Sequence, residues 1–181
     1  MDTLLFRYHN LLKETNTSFL RYLHDIIPWN DRMIAIVGSR GVGKTTMLLQ
    51  HIKLHLPVEK TLYVSADDLY FSDHSLFDLA RQFNQLGGEH LFIDEIHKYA
   101  NWSQELKNIY DAIPQLQVVF TGSSILDIYH GTSDLSRRAL TFTLHGMSFR
   151  EYLAMNKGLK IPIHALDDIM QHKVNAEGLD Y

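Results

Sequence analysis

Short apolar runs alternate with longer amphipathic segments along most of the chain. The runs have four to six residues and are rich in Val, Ile, Leu and Phe, which is typical of buried strands in a parallel sheet. The predicted strands are Met33–Val37, Thr61–Ser65, His90–Ile93, Gln117–Phe120 and Ala139–Leu144. The predicted helices are Lys44–His55, Ser75–Gln85, Asn101–Ala112, Phe149–Met155 and Ala165–Val174. This alternation predicts βαβ units and therefore an α/β fold with helices on both faces of a parallel sheet.

The segment before the first strand also has a helical pattern, with a break near residues 15–18. Its apolar positions fall on one face and are Leu4, Leu5, Tyr8, Leu11 and Leu12. We therefore expect residues 1–30 to form a helical segment that packs on a core of residues 31–156. Residues 157–181 show no core pattern, and we interpret them as a helical tail that begins a further C-terminal region.

A glycine-rich segment joins the first predicted strand to the helix that follows it. It matches the phosphate-binding pattern G-x-x-x-x-G-K-[S/T] in full and reads Gly38, Ser39, Arg40, Gly41, Val42, Gly43, Lys44, Thr45. The glycines let backbone N–H groups approach phosphate oxygens, and the positive N-terminus of the helix points at the same anions. Lys44 is expected to reach the β- and γ-phosphates, Thr45 to bind Mg²⁺, and Thr46 to contact the α-phosphate side. The segment therefore predicts binding of a nucleoside triphosphate.

The third predicted strand ends in two carboxylates, Asp94 and Glu95. At the end of a parallel strand beside the phosphate loop, Asp94 would face the Mg²⁺ bound by Thr45. Glu95 would orient and activate a water molecule for attack on the γ-phosphate. A base for water favours a hydrolase over a small-molecule kinase.

Further polar residues are candidates to complete the site. The fourth strand ends in hydroxyl residues, and Thr121, Ser123 or Ser124 would sense the γ-phosphate or the attacking water, unless a serine only caps the next helix. Of the pair Arg137-Arg138, Arg138 is the candidate to stabilise transition-state charge, within the chain or across a subunit interface. The alternative is a solvated basic pair.

Three other positions near the motifs are open. Arg40 would contact phosphate or a partner. Asp67-Asp68 would form a turn or helix cap, with a role around Mg²⁺ as the alternative. A lone histidine such as His97 is usually structural. The 11 histidines are scattered, and we interpret their spacing as offering neither an H-E-x-x-H motif nor a pair of metal ligands.

Composition limits the number of domains, the kinds of site and the expected location of the protein. The chain has 181 residues, a net charge of −4, 45% hydrophobic residues and no cysteine. This length suits one α/β domain, and the charge gives no general attraction to nucleic acid. Without cysteine, disulfides and thiolate sites are excluded. We expect a cytoplasmic protein, since neither a signal peptide nor an apolar run long enough for a membrane span is apparent.

Six motifs in a fixed order resemble one family. They are Gly38–Thr46, Ser65–Asp68, Leu91–Lys98, Phe120–Ser124, Leu135–Ala139 and Ser148–Leu153. Together they are similar to prokaryotic AAA-like P-loop ATPases, the AAA domain proteins that are often followed by a DUF4143 domain. The resemblance covers about residues 15–155, and the last three motifs make it specific.

The resemblance implies a three-layer P-loop NTPase with a five-stranded parallel sheet in the order 5-1-4-3-2, and ATP with Mg²⁺ as cofactors. It implies roles for the following residues: Gly43, Lys44 and Thr45 in binding nucleotide and metal, Asp94 as the Walker B carboxylate, Glu95 as the catalytic one, and Ser123 and Arg138 in catalysis. Such proteins continue for about as many residues again. We therefore expect a fragment whose missing region binds protein or nucleic acid, and a homo-oligomer with no membrane partner.

Two functions remain open at the level of sequence. The first is an ATPase whose hydrolysis moves or switches a partner. The second is a nucleotide-sensing module with little or no hydrolysis by itself. A GTPase is disfavoured because no Asn-Lys-x-Asp motif is present, and a nucleoside kinase because nothing resembles its lid or acceptor site.

Overall fold

The computed structural model describes residues 1–122, 135, 137–162, 167, 170 and 171. They belong to two compact units, Met1–Met147 and Ser148–Tyr181. The first unit contains a five-stranded sheet whose paired strands are all parallel, in the order β2-β3-β4-β1-β5. The strands are β1 (Met33–Val37), β2 (Thr61–Ser65), β3 (His90–Asp94), β4 (Gln117–Gly122) and β5 (Leu140–Thr143). The predicted order 5-1-4-3-2 is the same strand order read from β5 to β2, so the fold class is confirmed.

Helices lie between the strands and before them. In the first unit they are α1 (Asp2–Glu14), α2 (Lys44–His55), α3 (Leu76–Gln85) and α4 (Trp102–Ala112). Short 3-10 helices cover Tyr22–Asp25, Val58–Lys60, Leu69–Ser72 and Ile96–Lys98. Of the helices in the described part of the chain, none combines the length and the apolar character needed to cross a membrane.

Two hydrophobic clusters cover the two faces of the sheet. Alternate residues of a strand point to opposite faces, and in β1 Ala35 joins one cluster whereas Ile34 and Ile36 join the other. The first cluster receives buried residues of α3 and α4, and the second receives buried residues of α2. Helix α1 contributes Leu4 to the first cluster and Tyr8 and Leu12 to the second. The first unit therefore has the predicted three layers, and the buried face of α1 packs in its core together with the sheet.

The N-terminal segment has the predicted break after its first helix but less helix beyond that break than predicted. The helix ends at Glu14, and only the short 3-10 helix Tyr22–Asp25 follows before β1. Leu11 was predicted on the buried face, but 39% of it is exposed. The buried positions Leu4, Tyr8 and Leu12 follow a spacing of four residues, so they form a narrow stripe that leaves Leu11 at its border.

The second unit contains α5 (Phe149–Lys157). Its start is fixed by a capping box, in which the Ser148 hydroxyl and the Glu151 carboxylate each accept a backbone N–H of the other residue. The two units divide before α5. The predicted limits of the N-terminal segment, the core and the tail stay predictions. The helix predicted over Ala165–Val174 falls mostly outside the described residues.

Candidate nucleotide-binding site

The glycine-rich segment follows β1 at the edge of the sheet where the parallel strands end. Val37, the last residue of β1, accepts the backbone N–H of Leu144, which follows β5. This places the backbone of Gly38 so close to Leu144 that a Cβ atom at Gly38 would lie 2.2 Å from the Leu144 carbonyl oxygen. Gly43 has a φ of 98° at the N-cap of α2, in the left-handed region that favours glycine. Close approach and backbone conformation therefore explain the two outer glycines of the motif.

Lys44 is the first residue of α2, and only 4% of it is exposed. Its Nζ donates to the carbonyl oxygens of Gly38 at 2.8 Å and Ser39 at 3.1 Å. The loop thus curves around the ammonium group, with Ser39, Arg40, Gly41 and Thr46 exposed to solvent. A buried cation inside an exposed loop at a helix N-terminus is a suitable receptor for a phosphate chain.

Asp94, the last residue of β3, is 3% exposed and joins three neighbouring elements. Its Oδ2 accepts hydrogen bonds from Thr45 Oγ1 of α2 at 2.5 Å and from the Tyr63 hydroxyl of β2 at 2.8 Å. Its Oδ1 accepts one from Thr121 Oγ1 of β4. The predicted neighbours Thr45 and Asp94 therefore lie in direct contact.

Tyr63 is a member of the site that the sequence analysis missed. Burial raises the pKa of its hydroxyl above the ordinary range, and the charge of Asp94 and the hydrogen bond to it act in the same direction. The phenol therefore stays protonated and donates to Asp94. The available signal was a phenol between two apolar residues of a strand, but it can be interpreted only once β2 is known to pair with β3.

Glu95 follows directly with a φ of 53°, a left-handed conformation that is uncommon for a residue with a side chain. Its backbone N–H donates to Thr121 Oγ1 at 3.0 Å and to Asp94 Oδ1 at 3.1 Å, which holds this conformation. Its Oε2 lies 3.3 Å from His97 Nε2, and its side chain is 28% exposed. Glu95 lines a cavity of about 420 Å³ together with Arg40, Asp67, His97 and Lys98.

The hydroxyl predicted at the tip of β4 is present at Thr121, which is fully buried and contacts both acidic residues. Ser123 and Ser124 lie outside the described residues. Asp68 caps a 3-10 helix by accepting the Tyr70 N–H at 2.9 Å, as the turn-or-cap interpretation predicted. His97 was expected to be structural, yet it contacts Glu95.

Arg138 is not brought to the phosphate loop of its own chain. Its guanidinium donates from Nε and Nη2 to the two carboxylate oxygens of Asp111, at 3.0 and 3.1 Å. Asp111 lies in the last turn of α4, which leads to the start of β4, and Arg138 itself precedes the start of β5. Both residues therefore lie at the end of the sheet where the strands begin, opposite to the end that carries the phosphate loop.

Arg21 is a second residue that the sequence analysis missed. It is 6% exposed, and its guanidinium donates to the carbonyl oxygens of Val42 at 2.5 Å and His145 at 2.8 Å. It therefore ties the phosphate loop to the segment after β5. No local pattern could reveal this role, since the two partners are distant in sequence.

The geometry agrees with comparison to known families. The model of the AAA domain family matches residues 30–153. The chain belongs to this family. It is thus a nucleotide-binding P-loop domain of the AAA ATPase class, as the sequence resemblance implied, whereas the accompanying DUF4143 domain stays a prediction.

This AAA domain is also similar to two individual proteins. It is 34% identical over 170 residues to "Uncharacterized protein MJ1637" of Methanocaldococcus jannaschii, covering 87% of this chain and 36% of that protein. It resembles the structure of C. elegans PCH-2 with a TM-score of 0.50 and 18% identity, over 99% of this chain and 49% of that chain. The latter likeness supports the fold. The chain spans about a third of the curated relative and half of the structural one.

Proposed function

We propose that this AAA domain binds ATP with Mg²⁺ and hydrolyses it to ADP and phosphate. The observation that carries the proposal is the arrangement at the ends of β3 and β4. There Thr121 contacts both Asp94 and Glu95, and Asp94 contacts Thr45 of the phosphate loop. Two carboxylates beside a phosphate-binding loop are what water-based cleavage of a phosphoanhydride needs.

The residues at the loop fit a magnesium nucleotide. Thr45 and Asp94 offer hydroxyl and carboxylate oxygens, the hard ligands that Mg²⁺ prefers, and their 2.5 Å contact shows that both point to one place. Bound there, Mg²⁺ would neutralise charge on the β- and γ-phosphates. Tyr63 holds the Asp94 carboxylate from the other side, so its orientation is set before nucleotide arrives.

Lys44 would act on the phosphates, and Glu95 would act on the attacking water. Lys44 Nζ exchanges its loop carbonyl partners for oxygens of the β- and γ-phosphates. The Glu95 carboxylate accepts a proton from the attacking water, and its backbone N–H keeps the residue in place through Thr121. His97, 3.3 Å from the same carboxylate, helps to orient it.

One observation supports the alternative of a nucleotide-sensing switch with slow hydrolysis. The arginine predicted to stabilise the transition state, Arg138, is bound to Asp111 at the far edge of the sheet. A chain acting alone would lack this charge, and such an arginine contributes about 10³- to 10⁵-fold in related phosphoryl transfers. The proposal therefore includes a slow rate for isolated chains.

The test combines binding of a fluorescent ATP analogue with release of phosphate. We expect Glu95→Gln to bind ATP within about twofold of the wild type and to lose phosphate release by at least about 100-fold, because it keeps the shape but removes the base. Glu89→Gln is the matched control, since Glu89 precedes β3 at the other edge of the sheet and pairs with Lys60. Hydrolysis by Glu95→Gln at the wild-type rate would remove Glu95 from its role.

Lys44→Ala tests the site itself. We expect it to lose nucleotide binding, because the charge that pairs with the phosphates is gone. Lys53→Ala is the control, since Lys53 lies on the exposed face of the same helix. Undiminished ATP affinity in Lys44→Ala would overturn the proposal, whereas tight binding without phosphate release in the wild type would favour the switch.

We further propose that hydrolysis serves a protein or nucleic-acid partner in the cytoplasm, with homo-oligomers as the active form. The absence of cysteine suits a reducing compartment. Sedimentation of the chain with and without ATP measures the oligomeric state directly, and a monomer under both conditions would contradict this part.

A further inference from the structure

Three histidines meet in the first unit at residues that the phosphate site does not use. His24 lies on the 3-10 helix before β1, and His51 and His55 lie on α2. One ring nitrogen of each lies within 4.8 Å of those of the other two. His51 and His55 are four residues apart, which places them on one helix face. The prediction that the chain offers no paired histidine spacing is wrong, because His51 and His55 form such a pair on α2.

Two of these histidines carry buried nitrogens that lack a hydrogen-bond partner among the residues that the structure describes. His24 and His51 are each 5% exposed. Within the described part of the chain, His24 Nε2 and His51 Nδ1 have no hydrogen-bond partner. An unsatisfied buried polar atom is unfavourable, so each such atom requires an explanation. A bound cation that accepts the lone pair of an imidazole would provide it.

The surroundings hold the rings in place. His24 Nδ1 lies 3.3 Å from Asp25 Oδ1, and a carboxylate on the second nitrogen is the usual support of a metal-bound histidine. Trp29 stacks on His51 with ring centroids 3.8 Å apart, and its Nε1 donates to the His24 carbonyl oxygen.

We propose that His24, His51 and His55 bind one Zn²⁺ or a similar transition-metal ion. Three imidazoles suit Zn²⁺, and softer thiolate ligands are excluded because the chain has no cysteine. With Zn–N distances of about 2.1 Å, tetrahedral geometry needs nitrogens about 3.4 Å apart, which is compatible with the upper limit of 4.8 Å between the three ring nitrogens. His55 is exposed at the last position of α2, which gives the ion an entry path and lets this ring adjust.

The ion would fasten the segment before β1 to α2. This segment carries Arg21, which holds the Val42 carbonyl oxygen of the phosphate loop. We therefore expect a structural role for the ion: it stabilises the first unit and takes no part in the reaction. The inference is independent of whether the protein hydrolyses ATP.

The experiment is a titration of the untagged, metal-free chain with Zn²⁺ against a chromophoric chelator, together with thermal unfolding. We expect one ion per chain and a higher melting temperature with Zn²⁺. His55→Gln should lower the Zn²⁺ affinity at least tenfold and abolish the rise in melting temperature. Because His55 is exposed, this variant should keep the wild-type circular dichroism spectrum.

Two controls make the result decisive. His9→Gln replaces an exposed histidine of α1 outside the cluster and should bind Zn²⁺ like the wild type. Thr45→Val removes the hydroxyl at the phosphate loop and should also leave Zn²⁺ binding unchanged. The proposal is overturned by a wild type that binds no stoichiometric Zn²⁺, by His55→Gln with undiminished affinity, or by an equal loss in either control.

Discussion

At the scale of residues, the site depends on one buried carboxylate. Asp94 accepts hydrogen bonds from Thr45, Tyr63 and Thr121 and from the backbone N–H of Glu95. A buried carboxylate without donors is costly, and bonds to a charged group are stronger than neutral ones. The donors therefore both stabilise Asp94 and fix its direction toward the phosphate loop.

Two buried tyrosines allow the contribution of one donor to be measured. Tyr63 donates to Asp94, whereas the Tyr8 hydroxyl, equally buried, has no hydrogen-bond partner among the described residues. We expect Tyr63→Phe to lower the free energy of unfolding by about 1–2 kcal/mol, because it removes a bond to a charged group. Tyr8→Phe should be neutral or stabilising, because it removes an unsatisfied polar atom. Urea unfolding of both variants measures the difference.

The same pair of variants separates stability from function. Tyr63→Phe should raise the Mg²⁺ concentration needed for ATP binding, since Asp94 is then held less firmly, and Tyr8→Phe should leave it unchanged. Equal losses of stability in the two variants would mean that removal of a buried hydroxyl, and not the bond to Asp94, accounts for the effect.

At the scale of elements, the site is made by strand ends that meet at one edge of the sheet. β1 ends before the phosphate loop, β3 at Asp94 and β4 at Gly122, and the Gly38 N–H donates to the Gly122 carbonyl oxygen at 3.3 Å. The loop is also pressed against the end of β5, where Gly38 approaches the Leu144 carbonyl oxygen. The position of the loop therefore depends on both neighbours of β1.

Substituting the crowded glycine tests this packing. We expect Gly38→Ala to destabilise the protein by about 1–3 kcal/mol, because its Cβ would lie 2.2 Å from a backbone oxygen that cannot easily move. Gly146→Ala is the control, since a Cβ there meets nothing within 4 Å. It should be neutral or slightly stabilising. Thermal unfolding compares the two, and a harmless Gly38→Ala would contradict the close approach.

The strands and their chemistry were predictable because both depend on local pattern. The five apolar runs became β1 to β5, and carboxyl ends of parallel strands meet at one edge, which is why Thr45 and Asp94 could be paired in advance. Tyr63 and Arg21 could not, because their roles depend on partners far along the chain: Arg21 contacts the carbonyl of His145, 124 residues away. The narrow buried stripe of α1 likewise depends on the surface it packs against.

At the scale of the whole molecule, different side chains lie at the two ends of the parallel strands. The phosphate loop, Asp94 and Glu95 lie where the strands end. Near the opposite edge, Arg32 lies over the Tyr110 ring at 3.9 Å, and Arg138 binds Asp111 and lies 5.8 Å from the same ring. A role of Arg138 in hydrolysis therefore requires that this edge of one chain meets the phosphate loop of another.

This separation predicts how Arg138→Ala behaves. In dilute solution, where chains are apart, we expect unchanged ATP affinity and a loss of unfolding free energy below about 1 kcal/mol, because 47% of the Asp111 side chain is exposed and exposed pairs contribute little. Asp111→Ala should show the same loss.

If chains assemble, wild-type phosphate release per chain should rise with protein concentration. Arg138→Ala should abolish this rise, whereas Asp111→Ala, which keeps the guanidinium, should retain it. Loss of ATP affinity by dilute Arg138→Ala would instead place the arginine at its own site, because only an interaction within one chain is independent of concentration.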